Sequence, residues 1–133
     1  MTTRFEVEQD GDQEEPPQAQ RPLVYPNVEA WLTDWALPHY RRDLKKLHKW
    51  DPEWWKYEEV GTVLETLWES WEQVRWEDPM TNVVWFRDYF YPIMDRLTDP
   101  EDGPFWDYDP PKNTAPPPTF DTEPTPDGWF AEQ

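Results

Sequence analysis

Glu58-Glu59-Val60-Gly61-Thr62-Val63-Leu64-Glu65-Thr66-Leu67-Trp68-Glu69-Ser70-Trp71-Glu72-Gln73-Val74-Arg75-Trp76 is the stretch that decides the fold. Val60, Val63, Leu64, Leu67, Trp68, Trp71 and Val74 recur at three- and four-residue steps, so one helical face collects them. Glu58, Glu65, Glu69 and Glu72 gather on the opposite face. The pattern predicts a long amphipathic helix with a buried stripe and a solvated acidic row. Gly61 weakens its first turn slightly. Asp78-Pro79 closes the stretch.

Towards the C-terminus, a second helix is predicted over about Thr81 to Leu97. Val83, Phe86, Phe90, Ile93, Met94 and Leu97 form one face, Trp85 and Tyr89 a second, and Val84 and Tyr91 a third. A helix apolar nearly all round is either central or offers a spare face to a partner. Pro92 predicts a kink. Asp99-Pro100-Glu101-Asp102-Gly103-Pro104 stops the helix, with Phe105 and Trp106 placed to fold back on the core.

Towards the N-terminus, Asn27 suits a cap, with Glu29 in the first turn and Val28, Trp31, Leu32 and Trp35 on one face. The stripe formed by Tyr40, Leu44 and Leu47 is rotated by about 120° from it, so Pro38 marks a kink or break. Beyond it, Arg41, Arg42, Lys45, Lys46 and Lys49 face away from that stripe, predicting a basic amphipathic helix over 39–49. Asp51-Pro52-Glu53 reads as a fresh start for a short helix carrying Trp54 and Trp55. A faint internal echo links Trp31, Asp34, Pro38 and Arg42 with Trp85, Asp88, Pro92 and Arg96 at an offset of 54. It predicts two kinked aromatic helices paired around the long one. The fold class is all-α: a compact domain of about four helices with proline kinks.

Three zones follow. Residues 1–22 are polar and acidic, 23–106 form the helical domain, and 107–133 are a Pro-rich acidic tail ending in Asp127-Gly128-Trp129-Phe130. Both ends bury too little apolar surface to offset ordering entropy and are expected to be disordered. The net charge of -17 divides as -4 over 1–22, -8 over 23–105 and -5 over 106–133. This opposes general nucleic-acid binding and suits steering towards basic partners. Nine of the 11 Trp residues lie between 23 and 105, where large aromatics compensate for a small core. Without cysteine, neither a disulfide framework nor a thiolate metal site is possible. No run reaches the roughly 20 apolar residues of a membrane helix, and residues 1–6 lack the apolar run of a secretory signal. A cytoplasmic protein is the default expectation.

The run Val28 to Leu44, then Trp50-Asp51-Pro52-Glu53-Trp54-Trp55, Leu64 to Trp71, Trp85-Phe86-Arg87-Asp88 and Asp102-Gly103-Pro104-Phe105 resembles a family of small actinobacterial proteins of unknown function. The resemblance covers about residues 24–106. It implies a plasmid, phage or conjugative-element setting, and it transfers no catalytic residue.

The residues themselves suggest no enzyme. His39 and His48 lack a ligand spacing, no phosphate loop or nucleophile elbow occurs, and the Glu65, Glu69, Glu72 row faces away from the core, unlike a carboxylate metal site. No catalytic residue, cofactor or metal is expected. Two nucleic-acid readings arise. The basic helix 39–49 with its neighbouring tryptophans suits phosphate contact plus stacking. The row Glu58, Glu65, Glu69, Glu72 suits mimicry of DNA towards a host nuclease. The preferred expectation is a non-enzymatic protein-interaction module or adaptor. Its contact surface is Trp54, Trp55, Trp85, Tyr89 and Tyr91, with Arg41, Arg42, Lys45 and Lys46 as a charged rim, because interface hot spots favour Trp, Tyr and Arg.

Overall fold

The computed structural model describes residues 21–44, 47–109 and 121–130. Among them are three helices, one short 3-10 turn and no strand. Helix α1, over 28–39, joins an α turn Val28–Trp31, a π-helical segment Leu32–Ala36 and an α turn Leu37–His39. The 3-10 turn is Trp54–Lys56. Helix α2 is the long amphipathic one, Glu58–Val74. Helix α3, over 79–97, joins Pro79–Trp85, a π-helical segment Phe86–Phe90 and Tyr91–Leu97. Fewer helices form than the sequence suggests, because the described residues between Tyr40 and Glu53 are not helical and Trp54–Lys56 makes a single tight turn.

Each start has a local cause. The Asn27 side chain accepts from the Ala30 N–H at 2.9 Å, capping α1. Asp78 accepts from the Thr81 N–H at 2.8 Å with Pro79 at the first helical position, so α3 begins two residues before Thr81. Neither Pro38 nor Pro92 breaks its helix. Two residues before each proline, a wide π segment ends. Leu37 N–H bonds Leu32 O, and Tyr91 N–H bonds Phe86 O, both across five residues. The wider turn relieves the clash of a proline ring with the carbonyl one turn back.

The helices meet on an aromatic layer. Trp35 of α1 lies 5.2 Å from Trp71 of α2 and 5.4 Å from Phe90 of α3, measured between ring centroids. The expected pairing of two proline-bearing helices against the central one is thus made by one indole. At the other end, Phe105 packs edge-on against Tyr57 at 4.7 Å and Trp50 at 5.2 Å. Gly103 permits this return: a Cβ there would stand 2.6 Å from the carbonyl oxygens of Arg96 and Asp99. Phe105 is buried, whereas Trp106 is half exposed.

Glu72 departs from the expected solvated row. It is buried, and four donors converge on it. Oε1 accepts from Val24 N–H at 3.0 Å and Arg75 Nε at 3.2 Å; Oε2 accepts from Tyr25 N–H at 2.9 Å and Trp68 Nε1 at 3.1 Å. The reason lies in register. Glu72 stands one turn beyond buried Trp68, at the edge of the apolar stripe, where the strap 22–25 crosses the helix. Arg75 also donates to the Pro22 carbonyl. Glu58, Glu65 and Glu69 remain exposed.

Candidate interaction surface

The basic helix expected over 39–49 does not form among its described residues. Tyr40 leaves helical geometry at φ -123°, ψ 72°. Its hydroxyl donates to Asp95 at 2.6 Å and lies 3.2 Å from Thr98 Oγ1. The Lys49 N–H also bonds Thr98, at its carbonyl, at 2.8 Å. Residues 40 and 49 thus meet on one residue at the C-terminal end of α3, whereas the ends of a helix over 40–49 stand about 14 Å apart. Like charges at four-residue steps (Arg41, Lys45, Lys49) oppose a helix as well. Burial, then the Asp95 carboxylate, push the Tyr40 phenol up to about 12.

This segment frames a shallow pocket of about 280 Å³ lined by Leu37, Tyr40, Arg41, Arg42, Leu44, Trp50 and Thr98. Arg41 and Arg42 are exposed. The Arg42 guanidinium lies 4.0 Å over the Tyr40 ring and 6.0 Å from that of Tyr91. Among the described residues no carboxylate pairs with either arginine. Lys45 and Lys46 lie outside the described residues.

A larger apolar groove of about 450 Å³ runs between α2 and α3. Thr62, Val63, Thr66, Leu67 and Ser70 form one wall and Trp85, Tyr89 and Ile93 the other. The expected contact residues divide here. Trp85 is 3 % exposed and belongs to the core; its indole N–H donates to Ser70 Oγ at 2.8 Å, so it contributes a floor rather than a protruding contact. Tyr89, 54 % exposed, stands at the groove with no ring contact to another described aromatic. Tyr91, 40 % exposed, packs on Phe90 at 5.3 Å. Trp54 is half-buried against the core, and Trp55 is 62 % exposed. The structure therefore joins Trp85 with Tyr89, and Tyr91 with Arg42, while no ring contact ties Trp55 to either pair.

The two histidines have structural partners: His39 stacks on Trp35 at 4.3 Å and His48 meets Tyr40 edge-on at 6.2 Å. Among the described residues no group of three His, Cys, Asp or Glu side chains is placed to hold a metal ion, and no helix is long and apolar enough to cross a membrane.

A three-helix domain with an open apolar groove and an arginine-rimmed pocket is thus the class of protein that fold and surface define. The chain belongs to the family described as Domain of unknown function (DUF4913), matched over residues 25–126. The match begins in the strap held by Glu72 and runs well past Phe105 into the Pro-rich tail. No curated protein and no solved structure matches the chain.

Proposed function

We propose that this domain is a non-enzymatic interaction module or adaptor that seats a protein partner in the α2–α3 groove. The observation that carries the reading is a nearly all-carbon groove left open beside the exposed ring of Tyr89. Tyr91 with Arg42, and Trp55, offer further contacts outside it. Partly solvated aromatics beside an apolar pocket are the residues on which binding energy concentrates. The resemblance to actinobacterial plasmid and phage proteins supports a mobile-element origin, and the cysteine-free composition accords with a cytoplasmic setting.

A tagged pull-down from the native host, with and without nuclease, tests this. Tyr89→Ala and Thr66→Arg alter exposed positions of the groove and spare the core. A partner held after nuclease treatment and lost from both variants supports the module. A partner retained by both variants removes the groove from the account. Exposed, carboxylate-free Arg41 and Arg42 favour a second reading, nucleic-acid binding. It requires affinity that falls steeply with salt and disappears in Arg41→Gln/Arg42→Gln. The exposed Glu58, Glu65 and Glu69 support a third, DNA mimicry, for which a captured host nuclease is the mark.

A further inference from the structure

The tail has charge and apolar groups complementary to the arginine-rimmed pocket. Residues 106–133 carry a net charge of -5, and they end in an aromatic pair. That pair is displayed on a formed turn: Trp129 N–H bonds Pro126 O at 3.0 Å, and Gly128 adopts φ 75°, a geometry that favours glycine. Trp129 and Phe130 are 69 % and 72 % exposed. The pocket is the complement. Its lining is mostly apolar, and it is rimmed by Arg41 and Arg42, which open the sequence span 41–49 in which five of the chain's 12 basic residues fall.

The tail also starts beside the pocket. Trp50, a pocket residue, packs on Phe105 at 5.2 Å, and the Lys49 ammonium donates to the Trp106 carbonyl at 2.7 Å. From Asp109 to Trp129 the chain has a contour of about 60 Å if extended, against a radius of gyration of about 12 Å for a domain of this size. Reach is therefore not limiting, and a ligand carried on the same chain acts at a high local concentration. The family match runs to residue 126, up to but not including the Asp127–Phe130 turn.

We propose that the C-terminal Asp127-Gly128-Trp129-Phe130 turn docks in cis into the Tyr40–Arg41–Arg42–Trp50 pocket, as an internal ligand that covers the cationic edge. Arg41 and Arg42 meet the tail carboxylates, and Leu37, Leu44 and Trp50 receive an aromatic ring. This inference needs no external partner, so failure of the pull-down leaves it standing.

The absence of cysteine makes one introduced thiol unique. The full-length chain, 15N-labelled, carries a nitroxide on Gln133→Cys. Docking in cis is read as loss of amide intensity over Tyr40–Leu44 and at the Trp50 indole, recovered on reducing the nitroxide. The loss disappears in Trp129→Ala/Phe130→Ala, which leaves the helices untouched. It weakens with added salt and in Arg41→Gln/Arg42→Gln. Unchanged intensities over Tyr40–Leu44 overturn the proposal. So does broadening confined to Tyr89 and Ile93. Broadening that appears only when labelled chains are mixed with separate spin-labelled chains also overturns it, because the contact is then between copies.

Discussion

Replacing Glu72 by Gln removes one oxygen and one charge from a site where four N–H groups converge. The carboxylate accepts two bonds at each oxygen: Val24 N–H and Arg75 Nε on one, Tyr25 N–H and Trp68 Nε1 on the other. An amide in its place keeps one acceptor. Whichever way it turns, its NH2 group confronts two donors. Each donor stranded out of water costs about 1–3 kcal/mol, and the backbone donors of the strap are only part-buried, so water recovers some of this. A loss of about 2–4 kcal/mol results, a large share of the 5–15 kcal/mol typical of a domain. Urea unfolding followed by tryptophan fluorescence reads the global loss, and hydrogen exchange at Val24 and Tyr25 reads release of the strap. The pH dependence is linked. Burial raises the Glu72 pKa, but the Tyr25 and Val24 N–H groups, the Trp68 indole and Arg75 outweigh it and hold the group below its usual value. A depressed pKa stabilises above the unfolded-state value, and that contribution is lost as pH falls through the folded-state value. Glu72→Gln must therefore be less acid-sensitive than the parent. A destabilisation under about 1 kcal/mol, with unchanged exchange at Val24 and Tyr25, refutes the staple.

Three further outcomes follow from the packing. Trp85→Ala is expected to cost about 3–5 kcal/mol as a core deletion, while Trp55→Ala changes stability by no more than about 0.5 kcal/mol; equal effects on thermal melting contradict the division between core and surface. Gly103→Ala places a methyl against two backbone carbonyls 2.6 Å away, and a destabilisation of about 1–3 kcal/mol is expected from the forced shift, read by denaturant midpoint; a neutral variant shows that the loop gives way freely. An alkaline titration followed by tyrosinate absorbance should show Tyr40 ionising near 12 and Tyr57 later still, its phenol raised by burial and then by the bond to Asp51. Both raised values stabilise below the unfolded tyrosine pKa and lose that contribution as pH rises through the folded one; normal titration of all six tyrosines excludes the buried hydroxyl bonds.

Helix α2 was legible because its periodicity is sustained over many turns, and the cap residue Asn27 announced the start of α1 by chemistry that acts within three residues; Asp78-Pro79, read from the sequence as closing α2, also caps and opens α3. What escaped the sequence acts over longer separations. Residues 39–49 have the pattern of a basic amphipathic helix, yet bonds from Tyr40 and Lys49 to Thr98, more than forty-five residues away in the chain, draw the segment to the C-terminal end of α3. Glu72 looked solvated because a helical projection shows only its own helix; the strap that buries it comes from residues 22–25. Of the surface residues chosen from the sequence, Tyr89, Tyr91, Trp55, Arg41 and Arg42 are exposed, while Trp85 is not. An aromatic off the main stripe reads the same whether a neighbouring helix or solvent stands beside it.

The offset of 54 gives the groove its strongest argument. Adding 54 to the π segment Leu32–Ala36 gives Phe86–Phe90, the π segment of α3, so the two proline helices share a backbone device as well as four residue types. Within this register Trp31 matches Trp85, and both are buried. Trp35 matches Tyr89, and here the two copies diverge. Trp35 is the indole on which all three helices meet, with ring contacts to Trp71, Trp85, Phe86 and Phe90. Tyr89 occupies the equivalent place on α3 with no such layer over it, because no further helix packs there among the described residues. The position that closes the core in α1 is thus left open in α3, beside a groove lined by Val63, Leu67 and Ile93. A helix or strand laid along that groove would stand to Tyr89 as α2 and α3 stand to Trp35. Tyr89 is 54 % exposed, so covering it removes about half of the roughly 150–250 Å² such a ring can bury, which at roughly 25 cal/mol per Å² corresponds to about 2–3 kcal/mol of gross burial energy. Tyr89→Ala is therefore the substitution at which a groove-bound partner should lose most affinity, while the fold, which leaves half of that ring in solvent, loses less than at buried Trp85.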